Sequence, residues 1–221
     1  MSRSPNFGAR RAGLRPELVV LHYTAMDSCD AAARALCDPA REVSAHYLIS
    51  ETGEVLELVP EPMRAWHAGA GEWGGRGDVN SRSIGIELAN TGATPFAARQ
   101  IAALEVLLSG ILSRWKVPAK GVIAHSDMAP GRKIDPGPRF DWRRLARQGL
   151  AVWPGPTGGI APDERAFRAA AERFGYPREV PFELLLATVR LRFRPRHAGP
   201  LDIRDMGLIC DLADRFPANG A

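Results

Sequence analysis

Leu18-Val19-Val20-Leu21-His22-Tyr23-Thr24 is an aliphatic run that stops on an imidazole, and its composition marks it as a strand. Working outward, the same β-branched and aliphatic signal returns at His46 to Ile49, Val55 to Val59, Ser83 to Leu88 and Gly121 to His125, with Glu51-Thr52-Gly53-Glu54 as a hairpin turn between the second and third strands. Helix signals lie between these strands. Asp30 to Cys37 is alanine-rich and begins after Ser28 and Cys29. Ala97 to Trp115 carries Ile101, Leu104, Leu107, Leu108, Ile111 and Leu112 on one stripe, with Thr94 as its cap and Pro95 in the first turn. A third helix, Phe140 to Gln148, follows the break at Pro136-Gly137-Pro138. This order predicts an α/β fold with a mixed central sheet covered by helices.

Beyond this domain the composition changes. Residues 1–154 form the first domain, 155–161 read as a Pro/Gly linker, and 162–221 contain three short amphipathic segments. These carry Phe167, Ala171 and Phe174, then Leu184, Leu185, Val189 and Phe193, then Met206, Ile209, Leu212 and Phe216, which predicts a small three-helix module. The glycine-rich stretch Ala70 to Ser81 has no periodicity and reads as a long surface loop framing a site.

The chain has 221 residues, of which 45% are hydrophobic and 24% charged, an ordinary globular composition. No run approaches the roughly 18 continuous apolar residues of a membrane span, and Met1-Ser2-Arg3-Ser4-Pro5-Asn6 lacks the apolar middle of a secretory signal. A cytoplasmic location is expected, with the periplasm or envelope as the alternative if an export signal has been removed. Cys29, Cys37 and Cys210 show no CxxC spacing, so neither a disulfide framework nor a zinc ribbon is indicated. The net charge of +4 comes from 29 basic and 25 acidic residues that are interspersed, so no nucleic-acid partner is expected. Arg190, Arg192, Arg194 and Arg196 read as a solvated face around an apolar segment. A monomer is expected.

His22 and His125 both end strands, and Asp135 lies in the proline-bracketed loop Pro130-Gly131-Arg132-Lys133-Ile134-Asp135-Pro136. If the two strands are parallel neighbours, both imidazoles emerge at one sheet edge and the loop can fold back over them. Two imidazoles and a carboxylate with room for water are the ligand set of a catalytic Zn²⁺. Glu87 stands in the apolar run Ser83-Ile84-Gly85-Ile86-Glu87-Leu88; it is either a buried, proton-handling carboxylate or the outward member of an alternating strand. Lys133 taken alone is a surface lysine; near the metal it could stabilise a developing oxyanion. Trp66, His67 and Ala68, followed by Trp73 and Asn80, offer aromatic faces and donors suited to a sugar-peptide ligand, although a tryptophan near glycines also serves to plug a core edge. His46 reads as a structural or ligand-orienting residue, and His197 as solvent-facing.

His22-Tyr23-Thr24, Val43-Ser44-Ala45-His46-Tyr47-Leu48-Ile49, Ala65-Trp66-His67-Ala68-Gly69, Asn80 with Ser83 to Leu88, and Ala124-His125-Ser126-Asp127 through Pro138 occur in this order. Together they closely resemble the zinc-dependent N-acetylmuramoyl-L-alanine amidases of the AmpD and AmiD type, over about Leu18 to Trp153. The resemblance implies that His22, His125 and Asp135 hold Zn²⁺, that Glu87 is the base, that Lys133 steadies the oxyanion, and that His67 and Asn80, with Trp66 and Ala68 beside them, meet the substrate. It implies hydrolysis of the amide between N-acetylmuramic acid, or its 1,6-anhydro form, and L-alanine in peptidoglycan or a muropeptide. The helical segment after the linker resembles a peptidoglycan-binding module. The competing expectation is a protein of the same fold that recognises wall fragments without cleaving them, for which Glu87 and Lys133 would have no use.

Overall fold

A computed structural model describes residues 3–156 and 158–218; Met1, Ser2, Thr157 of the expected linker, and 219–221 lie outside the described residues. The strands are β1 (Phe7–Gly8), β2 (Leu18–Tyr23), β3 (Tyr47–Ile49), β4 (Val55–Glu57), β5 (Arg64–Ala65), β6 (Ser83–Leu88) and β7 (Val122–Ala124). The helices are α1 (Cys29–Leu36), α2 (Val79–Arg82), α3 (Ala98–Trp115), α4 (His125–Met128), α5 (Trp142–Arg147), α6 (Glu164–Phe174), α7 (Phe182–Phe193) and α8 (Ile203–Arg215). The mixed sheet runs β4-β3-β6-β2-β7, with β4 antiparallel to β3 and every other neighbouring pair parallel. Parallel pairing gathers the C-terminal ends of β2, β6 and β7 at one edge, where an open α/β sheet presents its ligands.

Local chemistry sets the element boundaries. Ser28 Oγ accepts from the Ala31 amide and starts α1. Asp141, Asp163 and Asp202 cap α5, α6 and α8 in the same way. The long helix α3 begins at Ala98, one residue after the expected Ala97, but Thr94 does not cap it, because the Asn90 amide group donates to the carbonyls of Thr94 and Pro95 and holds both in a loop. The last sheet strand stops at Ala124, since His125 already opens α4. The stretch 70–81 is not a plain surface loop: it runs into α2, and Trp73 is buried, edge-on to Phe174 and Tyr176 at 5.5 and 5.3 Å.

The two sheet faces are covered differently. On one face Val19, Leu21, Ile84, Ile86, Val122 and Ala124 pack against Ile101, Leu104, Leu108 and Ile111 of α3 and Trp142 and Leu145 of α5, forming a continuous apolar layer. On the other, Leu18, Val20 and Ile123 meet Phe167, Phe174, Leu185, Val189, Ile209 and Leu212 of α6, α7 and α8, while Leu48 meets Ala32, Ala33 and Leu36 of α1. Each such fully buried aliphatic side chain contributes about 1.5–3 kcal/mol. Between these two covers a gap remains, and His22 and Glu87 belong to the sheet face that it exposes.

The arginine cluster differs from expectation. Arg190 and Arg192 are only 6% and 3% exposed; Arg190 pairs with Asp205, Arg192 with Asp127, and Arg194 with Asp202 and Asp205. On a helix Arg192 follows Leu185 by seven and Val189 by three residues, so it lies on the apolar stripe and not on the solvent side. Among the described residues, no helix is long and apolar enough to cross a membrane.

Candidate active site

Register assembles the site. His22 of β2 is paired with Glu87 of β6, and Leu21 with Ala124 of β7, so His125 follows one step beyond Ala124 on the far side of His22. The loop after α4 returns Asp135, and the Asp135 carbonyl accepts from the Ser126 amide at 3.1 Å, tying that loop to the His125 turn. His22 Nδ1 and His125 Nδ1 lie 2.9 Å apart, and each is 2.9 Å from Asp135 Oδ2. All three residues are buried.

The surrounding hydrogen bonds determine which nitrogens carry protons. Ser83 Oγ donates to the Val79 carbonyl at 2.6 Å and therefore accepts from His67 Nε2 at 3.2 Å. His67 Nδ1 is then an acceptor for His22 Nε2 at 3.0 Å, and His22 Nδ1 is left with a lone pair. His125 Nε2 donates to the Ala68 carbonyl at 3.0 Å, which likewise leaves Nδ1 as a lone pair. Burial above all, with the neighbouring His125, pushes the His22 pKa down to about 4, so the ring is neutral at pH 7. Two imidazole lone pairs and a carboxylate oxygen at mutual hydrogen-bond distance repel unless a positive charge lies among them. The donor set and its orientation therefore fit a divalent metal ion, with the outer imidazole N–H groups each held by a partner as metal-binding histidines require. Among the described residues His197, Asp202 and Asp205 also come together, but the Arg190 and Arg194 guanidiniums already neutralise the two carboxylates.

The triad opens into a cleft of about 530 Å³. Glu87, Lys133, Trp66 and His67 line it beside His22, His125 and Asp135, and Ala32, Ala35 and Leu36 of α1 form an apolar wall. Glu87 is half-buried and turned into the cleft rather than outward: its Oε2 is inaccessible and has no hydrogen-bond partner. Burial, reinforced by the Asp135 charge and opposed by Lys133, raises its pKa to about 8. Gly85, two residues earlier on the same sheet face, has a specific reason to be glycine, because a Cβ there would lie 2.4 Å from the His67 ring.

Not every residue singled out in the sequence faces the cleft. Asn80 lies outside its lining, and its Oδ1 accepts from the His67 and Ala68 amides at 3.0 and 2.8 Å. Ala68 is fully buried and acts through its carbonyl, while Trp73 plugs the core. His46 is structural: its Nδ1 accepts from the Gly85 amide and its Nε2 contacts the Met63 carbonyl. His197 is exposed and paired with Asp202 at 3.0 Å. Sequence reading missed Ser83, which ends the relay from His22, and Arg132, whose Nη2 reaches the Ala68 carbonyl at 2.7 Å. A hydroxyl at the head of an apolar strand and an arginine beside Lys133 were the available signals.

Comparison with known proteins agrees with this geometry. The family model described as Amidase_2, N-acetylmuramoyl-L-alanine amidase, matches residues 12–138. N-acetylmuramoyl-L-alanine amidase AmiD of Escherichia coli is 36% identical over 94% of this chain and 86% of its own length. The 1,6-anhydro-N-acetylmuramyl-L-alanine amidase AmpD of Enterobacter cloacae is 36% identical over 64% of this chain and 85% of its own length. Among solved structures, E. coli AmiD in complex with the substrate anhydro-N-acetylmuramic acid-L-Ala-D-gamma-Glu-L-Lys superimposes with a TM-score of 0.83 at 33% identity, covering 94% of this chain and 92% of that one. AMPDH3 from Pseudomonas aeruginosa in complex with anhydromuramic pentapeptide gives a TM-score of 0.84 at 33% identity, covering 94% and 95%. With a family model spanning more than half of the sequence and relatives aligned over nearly all of it, the chain belongs to the N-acetylmuramoyl-L-alanine amidase family.

Proposed function

We propose that this chain is a zinc-dependent amidase cleaving the bond between the lactyl carbonyl of N-acetylmuramic acid, or of its 1,6-anhydro form, and the L-alanine of the stem peptide in peptidoglycan or its fragments. One observation carries the reading: the lone-pair imidazoles of His22 and His125 and the Glu87 carboxylate, with its free oxygen, stand on or one step beyond neighbouring parallel strands and open into one cleft. The substrates named in the AmiD and AMPDH3 complexes support the chemical class.

His22, His125 and Asp135 would hold the zinc, and an ion bound there would supply Lewis acidity toward a carbonyl oxygen and toward water. Glu87 takes a proton from the attacking water and delivers it to the alanine nitrogen as the C–N bond breaks, leaving a carboxylate on the sugar side and a free peptide amine. Lys133 faces the same cleft and stabilises the oxygen on which negative charge develops. His67 acts on the reaction through His22, and with Trp66 it walls the substrate channel. Asn80 and Ala68 contribute by fixing the 66–69 loop.

Incubation of the purified chain with zinc and an anhydromuramyl peptide releases free peptide detectable by mass spectrometry. Full zinc occupancy without peptide release would leave a protein that binds wall fragments without cleaving them. Running intact sacculi in parallel separates an enzyme of the wall from one of soluble fragments.

A further inference from the structure

We propose that the C-terminal helices serve the active site directly, with Arg192 and Tyr176 as positioning residues that hold Asp127 and, through it, the turn presenting His125; this rests on the amidase reading. Asp127 lies in α4, two residues after His125, and is fully buried. Its Oδ2 accepts from the Ala124 amide at 2.9 Å and from Arg192 Nη1, and its Oδ1 accepts from the Tyr176 hydroxyl at 2.9 Å. Arg192 also donates to the Val122 carbonyl at 3.2 Å, and its guanidinium lies 4.0 Å from the centre of the Trp142 ring. One side chain of α7 thus grips the strand before His125 and the carboxylate after it.

The second ligand-bearing segment is braced from the same helix. A Cβ at Gly131, where φ is +74°, would lie 2.6 Å from Leu184, so α7 fits closely against the turn leading to Lys133 and Asp135. Further down, the Gly74 amide donates to the Gly175 carbonyl at 2.8 Å and joins the loop after His67 to the end of α6. A binding module hung on a linker needs none of these contacts. A buttress needs all of them, because a catalytic metal site tolerates little looseness in its ligands.

The test uses the full chain and three variants: Tyr176→Phe, which removes one hydroxyl, Arg192→Lys, and Arg173→Ala, which breaks an exposed pair with Asp214 in the same helical region. Zinc affinity is measured by competition with a chromophoric chelator, ligand geometry from the visible spectrum of the cobalt-loaded protein, and kcat and KM on an anhydromuramyl peptide. Zinc affinity falls about 10-fold in Tyr176→Phe and up to about 100-fold in Arg192→Lys. The cobalt spectrum shifts and kcat falls while KM holds, whereas Arg173→Ala matches the parent throughout. A Tyr176→Phe protein with parental circular dichroism, zinc affinity and cobalt spectrum overturns the proposal and leaves the helices a merely structural role. Failure of the amidase reading looks different: the parent itself binds zinc and releases no peptide.

Discussion

The two faces of one sheet show how this fold separates stability from chemistry. The face under α3 and α5 is sealed by a continuous apolar layer, with Arg192 stacked on Trp142 at its edge. The opposite face is covered in two pieces, by α1 on one side and by α6, α7 and α8 on the other, and the polar row of His22 and Glu87 faces the space between. Alternation along a strand sends neighbouring residues to opposite faces, so Leu21 and His22, or Ile86 and Glu87, take up the two tasks side by side.

Substitutions on the two faces sharpen that contrast. His22→Ala or Asp135→Ala removes one of three donors; zinc content by metal analysis collapses and product falls below detection. Retention of a full zinc equivalent in either variant would break the assignment of the open face. Glu87→Gln keeps its zinc and loses about 10²–10⁴-fold in kcat, the usual range for removing a general base. On the sealed face, Leu104→Ala costs about 2–5 kcal/mol in denaturant melts, while the folded fraction keeps parental kcat/KM. A large drop in turnover there would mean that the faces are coupled.

The smallest effect is a dependence on pH. The Glu87 pKa is raised to about 8 in the folded chain, so the folded state favours the protonated acid, and metal-free protein loses stability as pH rises from the ordinary carboxylate range through 8. Metal-free Glu87→Gln escapes that loss and is more stable than the parent at pH 9 by roughly 1–3 kcal/mol, the cost of leaving a buried polar group unsatisfied. Superimposable pH–stability curves for the two proteins would mean that the Glu87 carboxylate gains or loses its charge without cost to the fold.

Much of this was legible in the residues. Aliphatic runs ending in histidine marked the strands and two members of the His22–His125–Asp135 cluster, and the proline-bracketed loop marked the third. Glu87 stayed ambiguous, because alternation divides a strand into two sets of side chains without revealing which set is covered; only pairing with His22 decides it. The cap of α3 was misplaced at Thr94 because Asn90 competes for the carbonyls of Thr94 and Pro95, a contact that propensity does not register. The Arg192 pair with Asp127 spans 65 positions, and helical spacing could have put Arg192 on the apolar stripe but not named its partner. Ser83 was read only as the head of a strand, since its hydroxyl acquires meaning once His67 is beside it.

The Ala68 carbonyl accepts from both His125 and Arg132, and this constrains the side chain that carries it. Because the contacts are made by the peptide group, swapping the side chain at this position erases neither of them. A methyl is nonetheless all that the fully enclosed site admits, and any bulkier substituent would lever the oxygen away from both donors at once. The space at position 68 is accordingly a restriction on side-chain size, in a place where a catalogue of reactive groups would find nothing to note.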